Sequence, residues 1–365
     1  MMKVKVSHMI SPFFVLFVIH GEQFGAGALG FSRIIAKEAG YDASVGVLFV
    51  GIVIHCLIWI MYYMLSLVDG SILDVHTYVW TSFLGKLFNI GFMLYFLMVS
   101  VSILRTYVEI VQVWLFPTAS TLILTTIFSI LIYYIISSGF RVITGICVIS
   151  IFASICYMIL CLYCLIKLGH FENFLPMFNH DISKVFLAAK ESVYTMTGFE
   201  IILMIYPFIK SPTKSHKFAQ YSVLFSNFLY LLSVISALAV FSEGQLSHEI
   251  WSQLSMTQVI QFSFLERIEY LVVCGYALIM VSSIILPLWA HTRGMREIFH
   301  VKQKYILLIS LIVAVIISSL LKDRHTINNF ITQISRLSLY LILIYIPILC
   351  FLLHIKVKLK GNVKW

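Results

Sequence analysis

Ile19-His-Gly-Glu-Gln-Phe-Gly-Ala-Gly27 interrupts the first long apolar stretch of the chain with glycines and a carboxylate. A second interruption, Thr195-Met-Thr-Gly-Phe-Glu200, again places glycine beside a carboxylate near the middle of the sequence. A carboxylate within hydrocarbon is costly unless it faces a cavity or a partner. Glycine lets a helix unwind, and the freed backbone groups then need a ligand, an ion, water or neighbouring protein. Such interruptions in two halves of a membrane chain indicate a transporter-type binding site.

The composition is that of a polytopic membrane protein. Of the 365 residues, 61% are hydrophobic and only 11% are charged, against roughly 45–50% and 25% in soluble domains. The longest polar connection, around Lys167 to Lys190, is too short for a core of its own, since domains usually need about 50 residues. We therefore expect one transmembrane domain over residues 1–365 and no enzyme active site.

The cysteines predict neither a disulfide framework nor a metal site. All seven lie in apolar stretches, where free cysteine behaves as a small hydrophobic residue. Cys161-Leu-Tyr-Cys164 has metal-ligand spacing but lacks a second pair of ligands. No cofactor and no nucleic-acid partner is predicted.

At about 20 apolar residues per crossing, the chain is predicted to be all-α with ten membrane spans. Lysine and arginine concentrate at both termini and in the even-numbered connections, which places both termini in the cytoplasm by the positive-inside rule. The predicted spans are approximately 9–36, 43–67, 84–115, 120–137, 142–166, 184–209, 218–241, 266–292, 305–321 and 329–354.

Ten spans divide into two repeats of five, about 9–166 and 184–354, and the interrupted segments become spans one and six. An odd number of spans per repeat makes the repeats inverted, which brings the two breaks together near the bilayer midplane. This is the LeuT-like five-plus-five architecture.

The segment Gly25-Ala-Gly-Ala-Leu-Gly30 matches a dinucleotide-binding fingerprint, but that motif needs a preceding strand that is not predicted here. Close helix packing through small residues is one alternative. We favour a broken helix whose second half begins near Gly27 and directs its amides at an anion, such as an amino-acid carboxylate.

Glu22 and Glu200 are the carboxylates of the two interruptions. Glu22 is the better ligand candidate, as an acceptor for an amine or hydroxyl or as a protonatable group. For Glu200 a structural role, capping freed amides or pairing with a cation, is an equal alternative.

Further polar groups occur in spans three and eight. Arg105 and Glu109 share a helical face and can pair with each other, while Glu266, Arg267 and Glu269 open span eight at the same level. We expect an ion-pair cluster that locks these two spans. Deeper in the same spans, we predict that a second group of residues contacts a small ligand: Tyr95, Val99, Ser102, Ser282 and Ser283.

The chain resembles the B subunits of bacterial spore germinant receptors, permease-like members of the amino acid-polyamine-organocation superfamily. The resemblance covers the ten predicted spans and rests on a set of short motifs: Gly25-Ala-Gly27 with Arg33, the Arg105 and Glu109 pair, Gly198-Phe-Glu200, the Lys-rich turn after it, and Phe264-Leu-Glu-Arg-Ile-Glu269.

The resemblance implies a nutrient sensor in the spore inner membrane that assembles with a larger A subunit and a lipoprotein C subunit. It places the germinant pocket at one set of positions: Gly25, Ala26, Gly27, Tyr95, Val99, Ser102, Gly198, Phe199, and Ser282 or Ser283. Glu22 is an acid where the family more usually has an uncharged residue, so alanine, a cationic amino acid and a nucleoside all remain possible ligands. A proton- or sodium-coupled amino-acid permease and a germination channel share the same physical features.

Overall fold

The computed structural model describes residues 4–175, 180–260 and 267–359, and its regular elements are helical. The first half contains seven α-helices: α1 (Val15–Gln23), α2 (Gly27–Ala39), α3 (Ala43–Val68), α4 (Ile72–Val79), α5 (Ser82–Trp114), α6 (Thr121–Ser137) and α7 (Phe140–Leu168). The described residues of the second half contain nine: α8 (Ile182–Thr195), α9 (Ile202–Ile205), α10 (Pro212–Val240), α11 (Glu243–His248), α12 (Ser252–Gln258), α13 (Ile268–Phe299), α14 (Gln303–Leu320), α15 (Arg324–Leu339) and α16 (Ile346–Leu359).

Within these described residues, seven helical segments are long and apolar enough to cross a membrane. Two shorter apolar segments, Thr121–Ser137 and Phe199–Phe208, fall below that length. The protein is thus a multi-pass helical membrane protein. The count of ten spans, the single domain and the bounds of the two repeats stay predictions.

Hydrogen bonds between distant segments define the two ends of the bundle. At one end, called the terminal face, Arg141 Nε donates to the Met9 carbonyl (3.2 Å) and Lys356 Nζ to the Val79 carbonyl (3.0 Å). At the other end, called the distal face, Asn173 Nδ2 donates to the Ala239 carbonyl (3.3 Å). Ile10 hydrogen-bonds to Phe208, and Tyr62 and Tyr63 of α3 contact Tyr206 and His354 respectively, so the first described segment and the end of α16 lie at the same end of the bundle.

Helices α5 and α13 form the central pair of the core. Ser100 Oγ donates to the Ile284 carbonyl (3.0 Å), and Tyr107 Oη donates to the Val273 carbonyl (3.1 Å). Near the terminal face, a Cβ on Gly294 would lie 1.9 Å from Met93 Sδ, so the two helices approach closely there. This pair supports the inner wall of the site.

Candidate functional site

The first break separates α1 from α2 at Phe24–Ala26, because Phe24 is extended and the helix restarts only at Gly27. Hydroxyl groups bind the carbonyls that the break frees. Ser282 Oγ donates to Gly21 (2.8 Å), and Tyr276 Oη donates to Gly25 (2.9 Å). Protein side chains, rather than ligand, thus satisfy much of this unwound backbone.

The second break follows α8, where Gly198 adopts φ = +117° and a 3₁₀ turn begins at Phe199. Glu200 is buried at 1% exposure and accepts two hydrogen bonds. They come from the Gly198 amide to Oε2 (2.6 Å) and from Tyr95 Oη to Oε1 (2.5 Å). Glu200 therefore caps an amide freed by its own break.

The two breaks are in direct contact. A Cβ on Gly198 would lie 2.8 Å from the backbone of Gln23 and of Glu22, a distance that real side chains do not tolerate. Gln23 Nε2 also donates to the Met196 carbonyl (3.1 Å), and the Tyr230 hydroxyl lies within hydrogen-bond distance of the carbonyls of Gln23 (2.8 Å) and Thr195 (3.1 Å), with one proton for the two. Movement of one broken segment must therefore displace the other.

A cavity of about 640 Å³ lies beside this junction and extends along α2 towards the distal face. Its volume is in the range of small-molecule sites. The junction and neighbouring helices α2, α5, α8, α10 and α15 supply its walls, together with residues 247–251. Its lining includes Glu22, Gln23, Gly25, Ala26, Gly27, Arg33, Lys37, Glu38, Val99, Ser102, Glu191, Thr195, Tyr230, Trp251, Arg324, Asn328, Thr332, Ser335 and Ser338.

Glu22 is the deepest charged group on this cavity. Its side chain is 4% exposed, and both carboxylate oxygens are buried without a hydrogen-bond partner among the described residues. The neighbouring Gln23 Oε1 is also unpartnered there. An ionised carboxylate in this position is costly. The Glu22 carboxyl group therefore needs either a proton or a hydrogen-bond donor from a bound molecule.

The mouth of the cavity carries charges of both signs, from Arg33, Lys37, Glu38, Glu191 and Arg324. The Arg324 guanidinium lies 5.1 Å from the centre of the Trp251 ring and pairs with Glu109 through Nη1 (2.5 Å). These groups narrow the distal opening and present cations to an incoming anion.

The predicted pairing of Arg105 with Glu109 is wrong, whereas an ion pair does form at the start of α13. Glu109 pairs with Arg324 rather than with Arg105, whose Nε donates to the Leu321 carbonyl (3.0 Å). Arg267 and Glu269 pair with each other (2.9 Å) at the start of α13, and Glu266 lies outside the described residues. The ion pair of Glu109 therefore joins α5 to the start of α15.

The ligand-contact predictions divide into two groups. On the cavity are six residues: Glu22, Gly25, Ala26, Gly27, Val99 and Ser102. Behind its wall are the other five: Tyr95, Gly198, Phe199, Ser282 and Ser283, which are buried and do not line it. Their hydroxyls and backbone hold the breaks in place, and their direct contact with a ligand stays a prediction.

Helix α2 begins at Gly27, at the position that the glycine motif indicates. Its Ala28 and Leu29 amides already donate to the carbonyls of Gly25 (3.1 Å) and Ala26 (3.3 Å) in a tight first turn. Fewer amides are therefore available to an anion than a simple broken helix would offer.

The polar face that α15 presents to the cavity was not predicted from the sequence. Asn328, Thr332, Ser335 and Ser338 all line it. Their spacing of four, three and three residues places polar groups on one side of a helix, and this pattern would have identified them. Tyr230 and Tyr276 were not predicted either, because no local sequence pattern shows which carbonyl a tyrosine hydroxyl will bind.

The fold is that of a class of membrane transporters. The structure of MhsT in complex with L-phenylalanine superposes with a TM-score of 0.65 at 14% identity, covering 95% of this chain and 88% of that one. The Eremococcus coleocola manganese transporter, in complex with an aromatic bis-isothiourea compound, gives 0.63 at 14% identity, covering 93% and 78%. Both belong to the LeuT-fold class, and at this identity they show the fold alone.

The chain belongs to the spore germination protein family, whose model matches residues 9–327. It is 35% identical to spore germination protein GerQB of Bacillus cereus over 360 residues, covering 99% of this chain and 100% of that protein. It is 21% identical to spore germination protein B2 of Bacillus subtilis (strain 168), covering 82% of each. The resemblance found in the sequence is thereby confirmed, and these relatives are not enzymes.

Proposed function

We propose that this protein is the nutrient-sensing subunit of a spore germination receptor and binds a small amino acid or nucleoside in the cavity beside the two breaks. The observation that carries the proposal is Glu22, a buried carboxylate without a partner on a cavity of about 640 Å³. Family membership supports the role in germination. Signalling to A and C subunits completes the proposal.

The ligand supplies what the cavity lacks. An ammonium or hydroxyl donates to Glu22, and polar groups of α15 and of Thr195 hold the rest of the molecule. A ligand carboxylate lies towards the first turn of α2 and the cationic mouth near Arg33. The apolar wall at Val99 limits the size of the side chain.

Binding changes the protein by favouring one arrangement of the two breaks. Because Gly198 contacts the backbone of Gln23, a ligand that contacts the first break also biases the second. The shift in population is limited by the difference in ligand affinity between the arrangements. The partner subunits read that shift.

The proposal includes the membrane arrangement. Ten spans in two inverted repeats of five, with breaks in spans one and six, place the cavity near the midplane of the spore inner membrane. Both termini face the spore core, so the cavity opens on the opposite side, from which nutrients arrive. The positive-inside distribution of lysine and arginine supports this orientation.

The direct test replaces Glu22 by glutamine in the native receptor. Glu22→Gln removes the charge at nearly constant volume, and we expect at least about a tenfold rise in the germinant concentration needed, by analogy with a charged hydrogen bond worth roughly 1.5–3 kcal/mol. Germination is measured against single amino acids and nucleosides. Glu172→Gln at an exposed position is the matched control, and an unchanged dose response at normal protein abundance would refute the assignment.

A proton- or sodium-coupled amino-acid permease is the second candidate. The unpartnered Glu22 favours it too, because a protonatable carboxylate in a membrane cavity suits coupling to an ion gradient. Vesicles containing this chain alone distinguish the two functions. Gradient-driven accumulation of labelled amino acid establishes the permease, whereas a sensor requires its partner subunits and moves little substrate.

A further inference from the structure

A second cavity, of about 430 Å³, lies at the terminal face, far from the first along the bundle. It is enclosed by the N-terminal segment, the connection between α6 and α7, the end of α13 and the start of α14. Its lining includes Lys5, His8, Gly139, Phe140, Phe208, Trp289, Arg293, Arg296, Gln303 and Lys304.

Cations dominate the rim of this cavity. Arg293 pairs with Glu297 through Nε (2.9 Å). In the part of the chain that the structure describes, Lys5, Arg296 and Lys304 have no carboxylate within 4 Å of their charged groups. Glu297 also lies within electrostatic range of Arg296, but one carboxylate cannot balance four cations, so the rim keeps a net positive charge.

Two helices start at the same cavity, which adds to this positive potential. α7 begins at Phe140 and α14 at Gln303, and neither Gly139 nor Lys302 caps its helix with a side chain. Gly139 has φ = +98°, and a Cβ added there would meet nothing within 4 Å. Uncapped helix N-termini attract anions, and here two of them converge with the cationic rim.

The floor of the cavity is aromatic and buried. Trp289 stacks on Phe140 with ring centres 4.4 Å apart and meets Phe208 edge-on at 5.0 Å. The Arg293 guanidinium lies 5.2 Å from the centre of the Phe208 ring. An apolar floor beneath a cationic rim suits a molecule with both an anionic and an apolar part.

We propose that the terminal-face cavity binds a phosphate group, carried by an anionic phospholipid headgroup or by a soluble phosphate ester. Basic pockets between membrane helices bind lipid phosphates in this way. Arginine and the helix amides supply directed donors for the phosphate oxygens, while Lys5 and Lys304 add charge. The site is separate from the nutrient cavity and stands whether or not that proposal holds.

The test uses the full-length chain in neutral detergent, titrated with phosphatidylglycerol, phosphatidylcholine and inorganic phosphate, with binding measured by native mass spectrometry. The double substitution Arg296→Gln with Lys304→Gln removes two rim charges. We expect about 25-fold weaker phosphatidylglycerol binding, because each cation at a membrane surface contributes roughly fivefold. Lys5→Gln alone lies outside the helices and should weaken binding about fivefold.

The matched control, Lys214→Gln with Lys358→Gln, removes the same charge from exposed positions on the terminal face away from the cavity. Preference for phosphatidylglycerol over phosphatidylcholine, lost in the double variant and retained in the control, supports a lipid headgroup. Phosphate binding with the same sensitivity, without a lipid preference, supports a soluble ester. The proposal would be overturned if the rim double variant and the control double variant lost phosphatidylglycerol binding equally, or if the wild type bound neither phosphatidylglycerol nor inorganic phosphate.

Discussion

Glu22 and Glu200 are buried carboxylates at the two breaks, and they differ in what surrounds them. Glu200 accepts hydrogen bonds from Tyr95 and from the Gly198 amide, whereas both oxygens of Glu22 lack a partner in the described structure. Glu200 therefore stabilises the fold, and Glu22 is the carboxylate that we propose to contact the ligand. The two donors to Glu200 lie 105 residues away (Tyr95) and 2 residues away (Gly198) in sequence, so the difference between the two carboxylates depends on the fold as well as on the local sequence.

Removing the Tyr95 hydroxyl should expose the structural role of Glu200. Tyr95→Phe leaves one buried carboxylate oxygen without its donor, at an expected cost of about 1–3 kcal/mol in stability. Thermal unfolding of the purified full chain measures the loss. Tyr134→Phe, at a side chain of a residue 71% exposed on the outside of α6, is the control. Equal unfolding temperatures for both variants would contradict the assignment.

Gly198 is the residue at which a single methyl group should separate the two breaks. Gly198→Ala combines an unfavourable positive φ with a contact of 2.8 Å to the Gln23 backbone, and we expect a loss of about 2–5 kcal/mol. Gly145→Ala adds the same methyl within α7, where nothing lies within 4 Å, and should be neutral or stabilising. The ratio of folded to aggregated protein on size-exclusion chromatography compares them; indistinguishable profiles would count against a tight junction.

The elements show how far sequence reasoning reaches. The predicted spans 43–67, 84–115 and 142–166 agree closely with α3, α5 and α7, because an apolar run of sufficient length specifies a membrane helix. The break positions followed from glycine beside a carboxylate. The prediction that Arg105 pairs with Glu109 is wrong, because helical spacing shows only which residues share a face of the helix. The actual partner, Arg324, is 215 residues away in sequence.

Helix α15 begins with a side-chain cap and carries both the polar cavity wall and Arg324. Asp323 caps it by accepting from the Thr326 amide (2.9 Å) and hydroxyl (2.6 Å). Asp323→Ala should lower the unfolding temperature by roughly 1–2 °C and weaken the closure at the mouth. Asp323→Asn retains a capping oxygen and is the control. If the alanine variant matches the wild type, the cap does not position α15.

The stability that the Asp323 cap contributes depends on pH. Hydrogen bonds from the hydroxyl and amide of Thr326 lower the pKa of Asp323 below its usual value of 3.8. A group with a lowered folded-state pKa stabilises the protein above its unfolded value, and that stabilisation is lost as pH falls through the lower folded value. The difference between wild type and Asp323→Ala should therefore stay constant from pH 5 to pH 8, as unfolding scans across that range will show.

At the scale of the whole molecule, the contact between the two breaks joins the two halves of the chain beside the cavity. α1 and α2 belong to one half of the chain and α8 to the other, yet they meet through Gly198 and Gln23. A ligand seated beside this contact stabilises whichever arrangement it fits better. The sequence indicated both breaks but not which groups surround the cavity, because those come from helices that are far apart in sequence, from α1 to α15.

The orientation and the ligand-dependent change can be tested together by labelling Ser335→Cys, on the cavity wall formed by α15. In sealed vesicles containing the receptor, a membrane-impermeant maleimide should label this cysteine from the distal side, and germinant should reduce the labelling rate by occupying the cavity. Lys358→Cys at the terminal face is the control, because it should label only from the opposite side and ignore germinant. The seven native cysteines are first replaced by serine or alanine in a variant that still responds. Labelling of Ser335→Cys from the terminal side alone would reverse the proposed orientation, and distal labelling at a rate that germinant leaves unchanged would remove the ligand from this cavity.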